Sequence, residues 1–286
     1  MSKPAIVVLG AHGQLGRDLC NQLAAESVLA WGRADADLTH PDTLKQKLLE
    51  TQPALVFNCA AYNLVDRAET EPQEAFAINA WGVRSLAQTC QQLGAVLVHF
   101  STDYVFGLEG FRPLPYVESD APGPLSVYGA SKLCGEYFVR SLCAKHFVIR
   151  SSGLYGRHGV GGKGGNFVNT MLKLARQGKP LRVVDDQILT PTSTADLAEA
   201  TLRLIEAAAY GLYHLTNQGQ CSWHDFAAHI FKIKHIDAQL EPCSTNDRND
   251  PARRPEYSVL TTEHAYVPRL RPWQEALAAY LAANDL

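Results

Sequence analysis

Short apolar runs alternate with longer stretches of helical composition through the first half of the chain. Residues 5–9, 55–59, 96–101 and 147–150 are rich in Val, Leu, Ile and Phe with little polar alternation, the pattern of strands buried on both faces. Segments 14–25, 43–51, 72–93 and 128–142 have the composition and length of helices, and a further strand is expected near 27–31. Such alternation builds parallel βαβ units. It predicts an α/β fold with a Rossmann-type doubly wound parallel sheet.

After residue 150 the pattern changes. The glycine-rich segment 153–165 reads as a flexible loop over a ligand or between domains. Residues 166–177 and 194–209 look helical, 181–185 strand-like, and 221–286 mixed, with a loop rich in Pro and Arg at 250–255. The expected organisation is a nucleotide-binding domain over 1–152 with about 187–216, and a smaller substrate-binding portion from 153–186 and 217–286.

Composition narrows the function classes. The net charge is −3 and no Lys/Arg block exists, so neither nucleic acid nor an anionic membrane is an expected partner. No run approaches the ~18 apolar residues of a membrane span, and Met-Ser-Lys-Pro leads straight into the first apolar run without the pattern of a signal peptide. The seven cysteines form no CxxC pair and the ten histidines no HExxH pair. Free thiols in a reducing, cytoplasmic setting fit better than disulfides or zinc, and no metal ligand is assigned.

Four features carry chemistry. Gly10-Ala-His-Gly13-Gln-Leu-Gly16 follows the first apolar run and opens a helix, where glycine lets a phosphate approach unpaired helix N–H groups. At the end of the second strand stands Trp31-Gly-Arg33 with no acid for a ribose 2′-hydroxyl, so Arg33 is available for a 2′-phosphate, and Asp37 lies within reach of the adenine side. Phe100-Ser-Thr-Asp-Tyr-Val-Phe106 begins at the carboxyl end of a central strand, where Thr102 can meet a substrate oxygen. Tyr128 and Lys132 share a helix face at i and i+4. A lysine cation within ~4–6 Å favours phenolate and lowers a phenol pKa from ~10, suiting Tyr128 to protonate a carbonyl oxygen as hydride arrives at carbon. Asn79 in mid-helix is expected to bind backbone or water, and Arg253 and Arg254 to clamp a diphosphate or to be solvated.

In this order the elements resemble an extended short-chain dehydrogenase/reductase. With Asn58-Cys-Ala-Ala-Tyr-Asn-Leu-Val-Asp66-Arg-Ala-Glu69, Tyr128-Gly-Ala-Ser-Lys-Leu-Cys-Gly-Glu136, Arg150-Ser-Ser-Gly-Leu-Tyr-Gly156, Asp185-Asp-Gln-Ile-Leu-Thr-Pro-Thr192 and Arg254-Pro-Glu-Tyr-Ser-Val-Leu260, the chain is similar over nearly its whole length to the dTDP-4-dehydrorhamnose reductase family. The resemblance implies reduction of dTDP-6-deoxy-L-lyxo-4-hexulose to dTDP-L-rhamnose with NADPH, NADH being a second candidate. It implies cofactor contacts from Gly10, Gly13, Gln14, Leu15, Gly16, Arg33, Asp37, Leu38, Ala60, Ala61 and Tyr62. Thr102, Tyr128 and Lys132 form the implied catalytic set, the last two also touching cofactor; Thr102, Asp103, Tyr104, Gly153, Asn166 and Arg254 face the substrate.

Three positions depart from the family pattern: Asn63 stands for Thr, Gly153 for a Trp that packs on substrate, and Asp18 for a glutamate said to hold magnesium between subunits. Magnesium and the choice between monomer and homodimer therefore stay open. So do three other functions: reduction of a different dTDP-4-ketosugar, a non-catalytic role like that of the methionine adenosyltransferase beta subunit, and epimerisation with tightly held NAD.

Overall fold

The computed structural model describes residues 5–110, 112–158 and 165–284. Its first half is β1 (Ile6–Leu9), α1 (Gln14–Gln22), β2 (Val28–Trp31), α2 (Pro41–Thr51), β3 (Leu55–Asn58), a short α3 (Val65–Ala68), α4 (Pro72–Phe76), a π-helical turn (Ala77–Gly82), α5 (Val83–Leu93), β4 (Val96–Thr102), α6 (Val127–Leu142) and β5 (His146–Ser151). The second half holds β6 (Leu154–Tyr155), α7 (Phe167–Ala175), β7 (Leu181–Val184), β8 (Ile188–Leu189), β9 (Thr192–Ser193), α8 (Thr194–Ala207), β10 (Gly211–His214), β11 (Cys221–Ser222), α9 (Trp223–Lys234), β12 (Leu240–Cys243) and α10 (Trp273–Ala283).

Six strands form one parallel sheet in the order β10-β5-β4-β3-β1-β2. The doubly wound fold is therefore as the alternation predicts. Successive strand side chains leave opposite faces, so Val8, Phe57, Val98 and Ile149 pack under α1 and α8, while Val7, Val56, Leu97 and Val148 pack under α2, α5 and α6. Burial on both faces is why these runs lack polar alternation. The chain leaves β1 first toward β2 and then, after β3, toward β4. Ligands in such sheets bind outside the carboxyl ends at that reversal.

A separate apolar cluster joins Tyr155 to α7, β7, α9 and α10. The return to the main sheet comes later than residue 187: Ile188 and Leu189 pair with β11, and only α8, packed on α1, and β10, beside β5, rejoin it. Segment 72–93 is helical as expected but not uniformly so, since the π turn interrupts it at Ala77–Gly82. Part of the glycine-rich segment is the strand β6, and residues 159–164 lie outside the described residues. Among the described residues no helix is long and apolar enough to cross a membrane.

Candidate active site

The glycine loop joins β1 to α1. Gly10 has φ +70°, and a Cβ there would lie 2.7 Å from the Ala60 nitrogen, so β3 and the loop meet only because the side chain is absent. Gly16 backs onto the Gly10 carbonyl in the same way. A groove of about 310 Å³ opens along this edge, walled by Gly10, Gly13, Arg33, Asp37, Leu38 and Ala60, with Ala61 also in its lining. Arg33 is 71% exposed and pairs with Asp37 at 3.0 Å. Burial works against the Asp37 carboxylate, but hydrogen bonds from Thr39 and Arg33 hold it below its ordinary pKa.

Not every expected cofactor residue faces this groove. Leu15 is buried in the core beneath the sheet, and Tyr62 packs beside Ala68 and Ala75 with its phenol donated to Glu71 at 2.8 Å. Burial and that carboxylate push the Tyr62 phenol up to about 12. The Gln14 side-chain oxygen accepts from the Gly156 N–H at 2.9 Å and from Asn166 at 3.1 Å, tying the start of α1 to the second half of the chain.

At the carboxyl end of β4, a second cavity of about 380 Å³ gathers Thr102, Asp103, Tyr104, Tyr128 and Gly153. Thr102 caps the turn that follows, accepting from the Tyr104 N–H at 3.2 Å. The same hydroxyl donates to Asp103 Oδ1 at 3.1 Å and hydrogen-bonds the Tyr128 phenol. Asp103 is buried. Its other oxygen accepts from Ser152 at 2.9 Å and Ser258 at 2.6 Å, yet burial outweighs these bonds and raises its pKa. Tyr104 meets Tyr128 edge to face at 5.8 Å.

Helix α6 delivers Tyr128 and Lys132. Its start is fixed by Ser126, which accepts from Gly129 N–H, and by Glu69, which accepts from Val127 N–H. Further along, Glu136 binds Arg150 of β5 through two oxygens at 2.7–3.2 Å and accepts from Ser101 at 2.5 Å. Both ions are 1% exposed, so removing one partner would strand a buried charge at a cost of about 3–5 kcal/mol. Asn79, turned inward by the π turn, bonds the Tyr62 backbone twice and Ser131 once, pinning the middle of α6.

The electrostatics differ from expectation. The i,i+4 spacing predicts a phenol lowered by its lysine; instead burial pushes Tyr128 up to about 12, against the hydrogen bond with Thr102. Lys132 donates to the Phe100 carbonyl at 2.7 Å, and burial lowers its ammonium to about 8, with Glu136 and Cys59 acting the other way. The lysine's charge is directed at the β4 backbone rather than at the phenol.

A third cavity of about 390 Å³ shares Tyr104, Gln187 and Trp223 with the second and is walled further by Phe167, Arg182, Arg248 and Arg254. Asn63 likewise joins the first cavity to the second. The three cavities are thus neighbours, adjoining through these shared residues to make a trough in three parts.

The family model described as RmlD substrate binding domain matches residues 4–285. The chain is 40% identical over 280 residues to the spore coat polysaccharide biosynthesis protein SpsK of Bacillus subtilis, covering 96% of each chain. It is 37% identical to the dTDP-4-dehydrorhamnose reductase of Sinorhizobium fredii, covering 95% of this chain and 94% of that one. The crystal structure of dTDP-4-dehydrorhamnose reductase from Bacillus anthracis in complex with NADP superposes with a TM-score of 0.92 at 37% identity, over 99% of this chain and all of the other. The chain belongs to the RmlD family, that of the dTDP-4-dehydrorhamnose reductases.

Within this RmlD-family chain, Asn166 and Arg254 sit at the trough but are already engaged. Asn166 caps α7, accepting from Asn169 N–H, and donates to Gly156 O at 2.8 Å and Tyr280 at 3.2 Å. Arg254 pairs with Asp66 at 2.8 Å and Asp250 at 3.3 Å, whereas Arg253 is exposed and belongs to none of the three cavities. Gly153 has φ +53°, where a side chain is strained, and a Cβ would lie 2.7 Å from the Leu189 side-chain tip and 3.1 Å from the Pro191 Cα, so the backbone here favours glycine. Leu189 and Ile188 wall the cavity at that point instead. Sequence reasoning misses Ser151, Gln187, Trp223 and Ser258. Ser151, Gln187 and Ser258 lie in runs that carry the resemblance; Trp223 gives no local signal.

Proposed function

We propose that the protein reduces the 4-keto group of dTDP-6-deoxy-L-lyxo-4-hexulose to give dTDP-L-rhamnose, as an NAD(P)H-dependent oxidoreductase. The observation that carries this reading is the convergence of Thr102 and Tyr128 in a cavity that shares a wall with the glycine-loop groove. The groove suits a dinucleotide: Gly10 admits close backbone approach, and the N-terminus of α1 faces it. A nicotinamide cofactor held there supplies the hydride.

The chain's own residues do the rest. Tyr128, a phenol that burial keeps firmly protonated, holds the proton that the carbonyl oxygen takes. Thr102 holds that oxygen beside the phenol once its hydroxyl proton turns from Asp103 to the substrate. Lys132 braces α6 against β4 and lies ready for the cofactor ribose. Beyond Tyr104, Arg182, Arg248 and Arg254 line the third cavity, each paired with an aspartate that a diphosphate would have to compete with, and Phe167 and Trp223 offer faces to a base. Arg33 favours NADPH, while its pairing with Asp37 leaves room for NADH. Seven unpaired thiols support a reducing, cytoplasmic setting.

The test is to mix purified protein with the ketosugar and NADPH, then NADH, following cofactor absorbance and identifying the product. Rapid oxidation with formation of dTDP-L-rhamnose is expected. A folded protein that binds NADPH but oxidises it with a different dTDP-4-ketosugar alone would replace the substrate assigned here.

A further inference from the structure

Among the described residues, few buried side-chain polar atoms lack a hydrogen-bond partner, and of these only the Ser151 hydroxyl belongs to a residue in the wall of the central cavity. Ser151 is the last residue of β5 and stands opposite Thr102 in the β4–β5 ladder. Neighbouring strands lie about 4.8 Å apart, and side chains in register leave a parallel sheet on the same face. The hydroxyls of Thr102 and Ser151 are therefore side by side at the sheet's carboxyl edge. The next residue, Ser152, points the other way and is committed to Asp103.

A buried hydroxyl without a partner is unfavourable, because it has given up water and received nothing. In its present rotamer the Ser151 hydroxyl has no partner, and because the residue lines the cavity, a turn about its Cα–Cβ bond can bring the hydroxyl to what fills it. Ser151 lines the central cavity and is absent from the glycine-loop groove, so it stands apart from the adenine half of a dinucleotide. We propose that Ser151 is a substrate-binding residue whose hydroxyl takes the oxygen on the carbon next to the reacting carbonyl, the 3-hydroxyl of the ketosugar. Two hydroxyls one strand apart can address neighbouring positions of a pyranose ring, Thr102 the carbonyl and Ser151 its neighbour. The inference rests on the reading of this cavity as the ketosugar site.

The experiment compares wild type, Ser151→Ala and Ser151→Thr in steady-state kinetics and in thermal melts. Expected for Ser151→Ala is a rise of about tenfold in KM for the ketosugar, the worth of one ordinary hydrogen bond, with KM for NADPH unchanged. The same variant, relieved of an unpaired hydroxyl, should melt higher than wild type without ligand. Ser151→Thr keeps the hydroxyl and should restore the ketosugar KM. With the 3-deoxy ketosugar, wild type and Ser151→Ala should be alike. An unchanged ketosugar KM, a change confined to NADPH, or an equal loss with the 3-deoxy substrate would overturn the assignment. Wild type inactive on the ketosugar would overturn the reading of the cavity itself, and with it the role of Ser151.

Discussion

The Thr102 hydroxyl donates to Asp103 Oδ1 at 3.1 Å while its oxygen accepts from the Tyr104 N–H at 3.2 Å. The family resemblance points Asp103 at the sugar; its carboxylate is instead consumed by Thr102, Ser152 and Ser258. Its geometric role is to set the direction of a neighbouring hydroxyl. Asp103→Asn should lower kcat by about 10- to 100-fold, the worth of a hydrogen bond to a charged group, with little change in NADPH affinity. A kcat within twofold of wild type would remove Asp103 from this role.

Tyr128→Phe removes the proton donor while keeping the ring that packs against Tyr104. Turnover should fall by roughly 10²–10⁴, the usual contribution of a general acid, while NADPH binding followed by fluorescence stays within a few fold. A variant that keeps more than half the activity would move the proton source elsewhere.

The division between what is legible in the sequence and what is not follows the range of the interactions. Buried strands, the glycine loop and the Tyr128–Lys132 spacing are local patterns, and each lies where its pattern puts it. Tyr62 and Leu15 are not separable by sequence from true groove residues, since a motif position does not say which face of the backbone a side chain takes. The Gln14–Asn166 and Ser258–Asp103 contacts join residues 152 and 155 positions apart. No spacing rule reaches that far. The raised Tyr128 and lowered Lys132 pKa values come from burial, which the sequence pattern of one helix does not report.

Arg33 is largely exposed and held only by Asp37, so it can turn toward a 2′-phosphate at little structural cost. Arg33→Ala should raise KM for NADPH by about three- to tenfold, the worth of an exposed charge-assisted contact, and leave KM for NADH nearly unchanged. Protein stability should not move. Equal rises for the two cofactors would dismiss the 2′-phosphate contact and point to a general role for the loop.

Lys132 gives activity and stability opposite dependences on alkaline pH. Its ammonium, lowered by burial to about 8, loses its proton as pH rises through that value, so kcat/KM should fall about tenfold per pH unit above it. Stability runs the other way. The folded pKa lies below the ordinary lysine value of 10.5, so between about 8 and 10.5 the unfolded chain binds the extra proton and this group's contribution to stability increases with pH. Below about 8 the buried charge is a standing penalty on the order of 3 kcal/mol, because each pH unit separating the folded and unfolded pKa values is worth roughly 1.4 kcal/mol. Lys132→Met should therefore be more stable than wild type at pH 7, converge with it near pH 10, and be nearly inactive throughout. Urea denaturation of both proteins at several pH values, beside the kinetic profile, measures the two trends. A stability difference that does not vary with pH would mean that Lys132 keeps an ordinary pKa in the folded protein.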